Sequence, residues 1–199
     1  MLHPRIAITG GIACGKSLFA SLLEKKGVEV LDADAVVHRL EEPGGEAVPV
    51  ISALFGQKIL NPEGGIDRAR LAEIVFSDPD SLLRLNAVLH PLVKRELDRW
   101  MDYPASRLKA VSVPLLFEIG WDRGWDVIIC LAADEAVQID RMVRLRGYTE
   151  AQARQRLASQ WPVARKAERS NIVVWNNADV DALARETERV YRMLQEMRV

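Results

Sequence analysis

The stretch Ile6-Ala7-Ile8-Thr9-Gly10-Gly11-Ile12-Ala13-Cys14-Gly15-Lys16-Ser17 is compatible with very few folds. An apolar run leads into glycines and then into a Lys-Ser pair, which reads as strand, loop, helix. Gly10, Gly15, Lys16 and Ser17 stand at the spacing G-x-x-x-x-G-K-S. In such a loop successive backbone N–H groups curl around a phosphate, the lysine reaches the outer phosphates, and the serine hydroxyl is placed for Mg²⁺. Glycine is needed because a side chain would block close backbone approach and because some loop positions want φ > 0. The helix that follows turns its positive dipole end to the anion. Chance produces this spacing in roughly 1% of chains of this length, and here the context agrees. Residues 5–9 form a short apolar strand. Leu18, Phe19, Leu22 and Leu23 fall at i, i+1, i+4 and i+5 on one face of a helix over residues 16–26, which Gly27 closes.

A chain of 199 residues can build one sizeable core and is too short for two independent domains of typical size, so inserted subdomains are expected. Strand-like runs recur at residues 6–9, 28–31, 110–113, 127–131 and 172–175, separated by helical patterns. Continuous apolar strands alternating with helices indicate an α/β fold, a three-layer parallel sheet of about five strands covered on both faces. Between the second and third strands the periodicity is helical, broken by Pro43-Gly44-Gly45, Asn61-Pro62-Glu63-Gly64-Gly65 and Ser77-Asp78-Pro79. This is an inserted helical subdomain. Between the fourth and fifth strands lies a helical pair over residues 136–146 and 150–160, with Thr149 and Gln152 spaced as a capping box. Its arginines suggest a lid. Residues 180–197 place Val180, Leu183, Ala184, Val190, Tyr191, Leu194 and Met197 on one face of a closing helix.

The net charge of -1, from 27 basic and 28 acidic residues, argues against a general nucleic-acid or membrane-surface binder, so any anion site must be local. Cys14 and Cys130 make neither a disulfide framework nor a metal-ligand cluster, which fits a reducing compartment. No apolar run approaches 18 residues, and Met1-Leu2-His3-Pro4-Arg5 leaves no room for a signal sequence. The expectation is a soluble cytoplasmic protein. Cys14 lies beside the phosphate position and near a helix N-terminus; the dipole favours thiolate while the phosphates oppose it, so the sequence leaves both signs open.

Beyond the loop, the second strand ends in Val30-Leu31-Asp32-Ala33-Asp34, two carboxylates at the sheet edge where open α/β sheets bind ligands. If the first two strands are adjacent, the pair lies next to the phosphate loop. One carboxylate there can take a proton from an attacking hydroxyl and the other hold Mg²⁺ through water; the bland alternative is that one of them caps the next helix. The lid offers Arg141, Arg144, Arg146, Arg154 and Arg156, with Arg141 and Arg144 at i, i+3 on one face. A guanidinium brought in by a closing lid neutralises the migrating phosphoryl group, and Arg141 is the preferred residue for it; most of the others read as solvated. His90, before Pro91 in the helical insertion, is on composition alone a packed or capping residue more often than a ligand. Glu118 ends the run Pro114-Leu115-Leu116-Phe117-Glu118 at the ligand edge. Asn176-Asn177-Ala178-Asp179 echoes the guanine-reading N-K-x-D, but the lysine is absent and D-x-x-G does not occur, which argues against a GTPase switch.

Taken together these residues resemble the dephospho-CoA kinase family almost end to end. The resemblance runs through Thr9-Gly10-Gly11-Ile12 with Gly15-Lys16-Ser17, Asp32-Ala33-Asp34, Pro43-Gly44, Phe55-Gly56, Asp67-Arg68, Val75-Phe76, His90-Pro91, Pro114 to Glu118, Gln138 with Arg141, Arg156 with Gln160, and Asn176. It implies transfer of the ATP γ-phosphoryl group to the ribose 3′-hydroxyl of dephospho-CoA, in a phosphate-loop kinase with ATP and Mg²⁺. It implies one kinase domain of three parts: a nucleotide-binding core of residues 1–34, 106–134 and 171–199, a helical CoA-binding insertion of residues 35–105, and a lid of residues 135–170. By position Asp34 would be the general base, with Lys16 and Arg141 completing the catalytic set and Asp32 supporting substrate or metal. Gly10, Gly11, Ile12, Ala13, Cys14, Gly15, Lys16, Ser17 and Leu18 would hold ATP, with Asn176 near its adenine and Ser17 on the Mg²⁺. Arg68 and His90 would face dephospho-CoA, with Glu118 also on the substrate side. The implied partners are ATP and dephospho-CoA, with no nucleic acid or membrane, and the implied state is a monomer.

The chain departs from the family where members usually carry Gly-Ser in place of Ala13-Cys14, Ser-Thr in place of Ser17-Leu18, an arginine at Leu145, and Ala-Asp in place of Ser170-Asn171. Ala13 brings a Cβ into the loop, and φ > 0 there would cost of order 1 kcal/mol. Two other readings stand beside this one: a kinase of a nucleoside monophosphate or another small-molecule hydroxyl, and a non-catalytic nucleotide-binding regulator.

Overall fold

The computed structural model describes residues 3–197; Met1, Leu2, Arg198 and Val199, which the sequence reading counts in the nucleotide-binding core, lie outside the described residues. In chain order the elements are β1 (Ile6–Gly10), α1 (Lys16–Glu24), β2 (Glu29–Asp32), α2 (Ala33–Glu41), α3 (Ala47–Phe55), α4 (Arg68–Ser77), α5 (Pro79–Asp102), β3 (Lys109–Ser112), β4 (Val127–Ala132), α6 (Glu135–Arg146), α7 (Glu150–Ala158), α8 (Val163–Glu168), β5 (Ile172–Trp175) and α9 (Val180–Glu196). A short 3₁₀ turn over Gln57–Ile59 precedes α4. The chain divides into two compact units: residues up to Leu31 with those from Pro104 onward, and Asp32–Tyr103.

The first unit is built on a five-stranded sheet of order β2-β3-β1-β4-β5. β1 pairs parallel with β3 and β4, and β4 with β5, with Ile8 opposite Ser112 on one side and Ile129 on the other. Every residue of β1, β3 and β4 is buried, as strands covered by helices on both faces must be. Phe19 and Leu23 of α1 and Leu183, Val190 and Leu194 of α9 close one cluster with Ile6, Ile8, Ile129 and Leu131. Fully burying a side chain of this size contributes about 1.5–3 kcal/mol.

The five strands lie within one residue of their expected positions. Their order leaves one condition unmet: β2 is not the neighbour of β1, because β3 stands between them. The β1-α1-β2 crossover skips one sheet position, and the chain fills it only after the helical segment. The segment between β4 and β5 also differs, with three helices where the periodicity shows two; α8 has just six residues, too few to display an amphipathic period. The capping box at α7 forms in both directions, Gln152 N–H to Thr149 Oγ1 at 3.2 Å and Thr149 N–H to Gln152 Oε1 at 2.9 Å. On α9 the buried stripe includes Thr187, whose hydroxyl donates to Leu183 O at 2.7 Å, while Val180 at the helix start is exposed. That local bond satisfies the hydroxyl inside the core, so a polar letter can occupy an apolar position.

In the second unit α2, α3 and α4 pack against α5. Leu85, Leu89, Val93 and Leu97 recur every fourth residue as the buried stripe of α5. Asp78 caps this helix through the N–H groups of Asp80 and Ser81, with Pro79 in the first turn where its missing N–H costs nothing. Pro91 stands inside α5 without ending it. It and Ala87, whose carbonyl loses the N–H of residue 91, are both on the exposed side, so water can replace the missing bond. The break at residues 61–65 is an Asn-anchored turn, with Gly65 N–H donating to Asn61 Oδ1 at 2.9 Å. Among the described residues no helix is long and apolar enough to cross a membrane.

Candidate active site

Residues 10–15 pass from the end of β1 to the start of α1 at the carboxyl edge of the sheet, and their backbone is held on several sides. Gly11 N–H donates to Leu131 O at 3.2 Å and Cys14 N–H to Gly11 O at 3.3 Å. Gln138 of α6, buried, donates to Ile12 O at 2.7 Å and to Cys14 Sγ at 3.1 Å. Asn176, which follows β5 and is also buried, donates to Cys14 O at 3.0 Å. Gly15 has φ 89°, and a Cβ there would lie 2.3 Å from Asn176 Nδ2, so glycine is demanded by both conformation and space. Ala13 has φ 58°, the one positive φ outside glycine among the described residues. The loop therefore adopts the left-handed turn at Ala13 despite its Cβ, storing of order 1–2 kcal/mol of strain that the surrounding bonds must offset.

Phe19 N–H donates to Gly15 O at 2.9 Å at the start of α1, and no side chain caps this helix. The N–H groups of Lys16, Ser17 and Leu18 precede the ladder and carry the positive end of the dipole. Such an N-terminus behind a glycine-pinched loop fits phosphate oxygens. Ser17 is exposed in the first turn, and among the described residues no group of three or more His, Cys, Asp or Glu could hold a metal by itself. A divalent ion here would suit one hydroxyl shared with phosphate oxygens, the donor set Mg²⁺ accepts with substrate phosphates and water.

Lys16 Nζ donates to Ser112 Oγ at 2.6 Å, at the end of β3, and Thr9 Oγ1 to Pro114 O at 3.2 Å. Arg141 of α6 reaches over the loop: its guanidinium donates to Ala13 O at 3.4 Å, Asn176 Oδ1 at 3.4 Å and Ala178 O at 3.2 Å. Arg144, expected on the same face, is exposed and pairs with Asp140 at 3.4 Å along its own helix. Arg154 bridges Glu150 and Glu135, and Arg156 lies 4.5 Å from the Tyr148 ring centroid. The structure thus draws Arg141, Asn176 and the loop together and leaves Arg144 and Arg154 in pairs on α6 and α7. Leu145 is 74% exposed.

Burial is the dominant influence on Cys14 and pushes its thiol from 9.0 up to about 11, against the opposing pull of its hydrogen bonds and Arg141. Burial likewise raises Cys130 to about 12. Both are neutral thiols in the folded protein, which decides the sign the sequence left open. A raised native pKa gives stability that is complete below the unfolded value and lost as pH climbs toward the native one. Thermal stability should therefore fall between pH 9.0 and about 11, with a shallower slope in Cys14→Ala, as followed by melting curves across that range. Neither thiol should react with iodoacetamide at pH 8 until the chain is unfolded.

Glu118 lies at the turn after β3 and pairs with Lys166 of α8 at 2.7 Å; sequence reasoning passed over Lys166 because a lysine in a short charged helix reads as solvated. Gln138 was legible as part of a shared pattern, without a role, and Ser112 carried no signal.

The other candidate residues belong to the second unit. Asp32 ends β2 and caps α2, its Oδ1 accepting from Asp34 N–H at 2.8 Å. Asp34 is exposed in the first turn of α2. Arg68 follows its own cap, Asp67; its Nε lies 3.2 Å from Glu41 Oε2 as an ion pair that does not meet hydrogen-bond geometry, and its Nη1 lies 3.3 Å from His38 Nδ1. Burial raises the Glu41 carboxyl above its ordinary value, opposed by Arg68 and His38. His90, half-buried on α5, is held below its ordinary value by burial.

A parallel five-stranded sheet with this loop and helix N-terminus defines the class: an α/β protein of the phosphate-loop type. Residues 5–182 match the sequence profile of the dephospho-CoA kinase family. A dephospho-CoA kinase of Anaeromyxobacter dehalogenans is 40% identical over 188 residues, 93% of this chain and 89% of its own length. The crystal structure of TT1252 from Thermus thermophilus superposes with a TM-score of 0.81 at 33% identity, covering 99% of this chain and all of that one (100%). A dephospho-CoA kinase from Campylobacter jejuni shares the fold, with a TM-score of 0.67 at 22% identity over 98% of each chain. The chain belongs to the dephospho-CoA kinase family.

Proposed function

We propose that this chain transfers the γ-phosphoryl group of ATP to the ribose 3′-hydroxyl of dephospho-CoA, releasing CoA and ADP. The observation that carries this reading is the family match over residues 5–182, to which the preformed phosphate loop lends support. Lys16 and the amides at the start of α1 hold the triphosphate, and Asn176 keeps the loop in shape beside the adenine side of the nucleotide. Asp34 takes the proton of the 3′-hydroxyl as its oxygen attacks the γ-phosphorus and the bond to the bridging oxygen of ADP breaks. Arg141 neutralises charge that spreads over the migrating group. Mg²⁺, held by Ser17 with the phosphates, supplies charge neutralisation when bound. Asp32, Arg68, His90 and Glu118 serve the acceptor side. The core, acceptor-binding insertion and lid keep the boundaries read from the sequence, and the protein acts as a monomer in the cytoplasm.

The test is ADP release by the purified protein with Mg-ATP and dephospho-CoA, AMP, CMP or no acceptor, with the product weighed for one added phosphate. Turnover selective for dephospho-CoA is expected. Turnover confined to a nucleoside monophosphate would assign the acceptor side to another substrate.

A further inference from the structure

Lys166 is 0% exposed, an unusual place for an ammonium group. Its Nζ lies 2.7 Å from Glu118 Oε1, 3.1 Å from Pro114 O and 3.4 Å from Gly10 O. The same Glu118 oxygen accepts the N–H of Trp161 at 3.0 Å, on the segment leading into α8. One buried charge thus touches the carbonyl of the first loop glycine, the end of β3 and, through Glu118, the root of the lid. Glu118 Oε2 is buried and finds no hydrogen-bond partner among the described residues.

The pair is poorly made as a stabilising element. Desolvating two charges is expensive, apolar residues of similar volume serve a core as well or better, and one carboxylate oxygen is left unsatisfied. What an apolar pair could not do is bind two backbone carbonyls. Gly10 and Gly11 form the entry of the loop: Gly11 N–H is fixed by Leu131 O, and Gly10 C=O by Lys166. A Cβ on Gly10 would lie 2.4 Å from Leu131 O, so the peptide has little room to settle elsewhere without being rebuilt. Thr9 Oγ1 shares the Pro114 carbonyl with Lys166, tying the β1 and β3 ends at the same point.

We propose that Lys166, held by Glu118, is a positioning residue for ATP: it sets the entry peptide of the phosphate loop and anchors the lid segment to it. The proposal rests on the reading that the loop holds the triphosphate, and not on the identity of the acceptor. Lys166→Met alone leaves a buried carboxylate without its cation and is expected to melt early. The Lys166→Met/Glu118→Gln double variant removes both charges and should fold with near-normal melting. In that variant the Kd for ATP, read by calorimetry in the absence of acceptor, should rise about tenfold or more, although the same preparation melts near the parent's temperature. A folded double variant that binds ATP as the parent does overturns the proposal and leaves the pair a core element. So does a double variant that fails to fold, since the charges would then be required by the core itself. If the parent turns over another acceptor instead, the reading of the acceptor fails while the ATP titration still decides the role of Lys166.

Discussion

Asp34→Asn lowers kcat by a factor of about 10²–10⁴ and leaves the Kd for ATP within about twofold of the parent. The amide keeps the size of the side chain and loses its basicity, so on the proposed role the loss falls on proton acceptance from the 3′-hydroxyl. Asp34 is exposed, its backbone N–H is held by Asp32 Oδ1 at 2.8 Å, and the buried face of α2 is carried by Ala33, Val36 and Leu40. Loss of a carboxylate from the first turn of α2 costs about 0.3–1 kcal/mol of dipole interaction, a small shift in melting. Asp32→Asn provides the contrast, because asparagine caps a helix as well as aspartate and the geometry around Asp34 is kept. Steady-state kinetics with both substrates varied, beside ATP titration, separates the effects: the loss should fall on kcat and kcat/KM alike. Unchanged turnover in Asp34→Asn would remove this residue as the base.

Lys16→Ala lowers kcat/KM for ATP by about 10²–10³, the loss expected from deleting one preorganised charge from a transition state that gathers charge on the migrating group. In the structure the ammonium donates to Ser112 Oγ at 2.6 Å. Ser112→Ala keeps the cation and should change kcat/KM far less than Lys16→Ala. The melting temperature should barely move in Lys16→Ala, since the grip of α1 on the core comes from Phe19 and Leu23. Kinetics and melting on the same preparations check both statements. Parental activity in Lys16→Ala would mean that the triphosphate is not held by this loop.

Sequence alone determined the elements whose cause is local. The glycine spacing dictates the phosphate loop because only backbone without side chains can close around an anion, and five apolar runs dictate five strands because their pattern is legible within a few residues. The capping box at Thr149 and the caps at Asp67 and Asp78 are likewise written in neighbouring letters. What the tertiary structure decided are matters of long-range neighbourhood. Strand order is one: nothing near β1 or β2 announces that β3, about 80 residues on from β2, will separate them. The ionisation of Cys14 is another, because helix dipole and phosphate act in opposite directions and the surrounding burial breaks the tie. Lys166 is the clearest case. Its letter and its short helix say surface, yet its side chain is fully buried among Glu118, Pro114 and Gly10, residues from 48 to 156 positions away. A charge is affordable in a core only where partners converge on it, and such convergence depends on how distant segments pack, which no window of sequence contains.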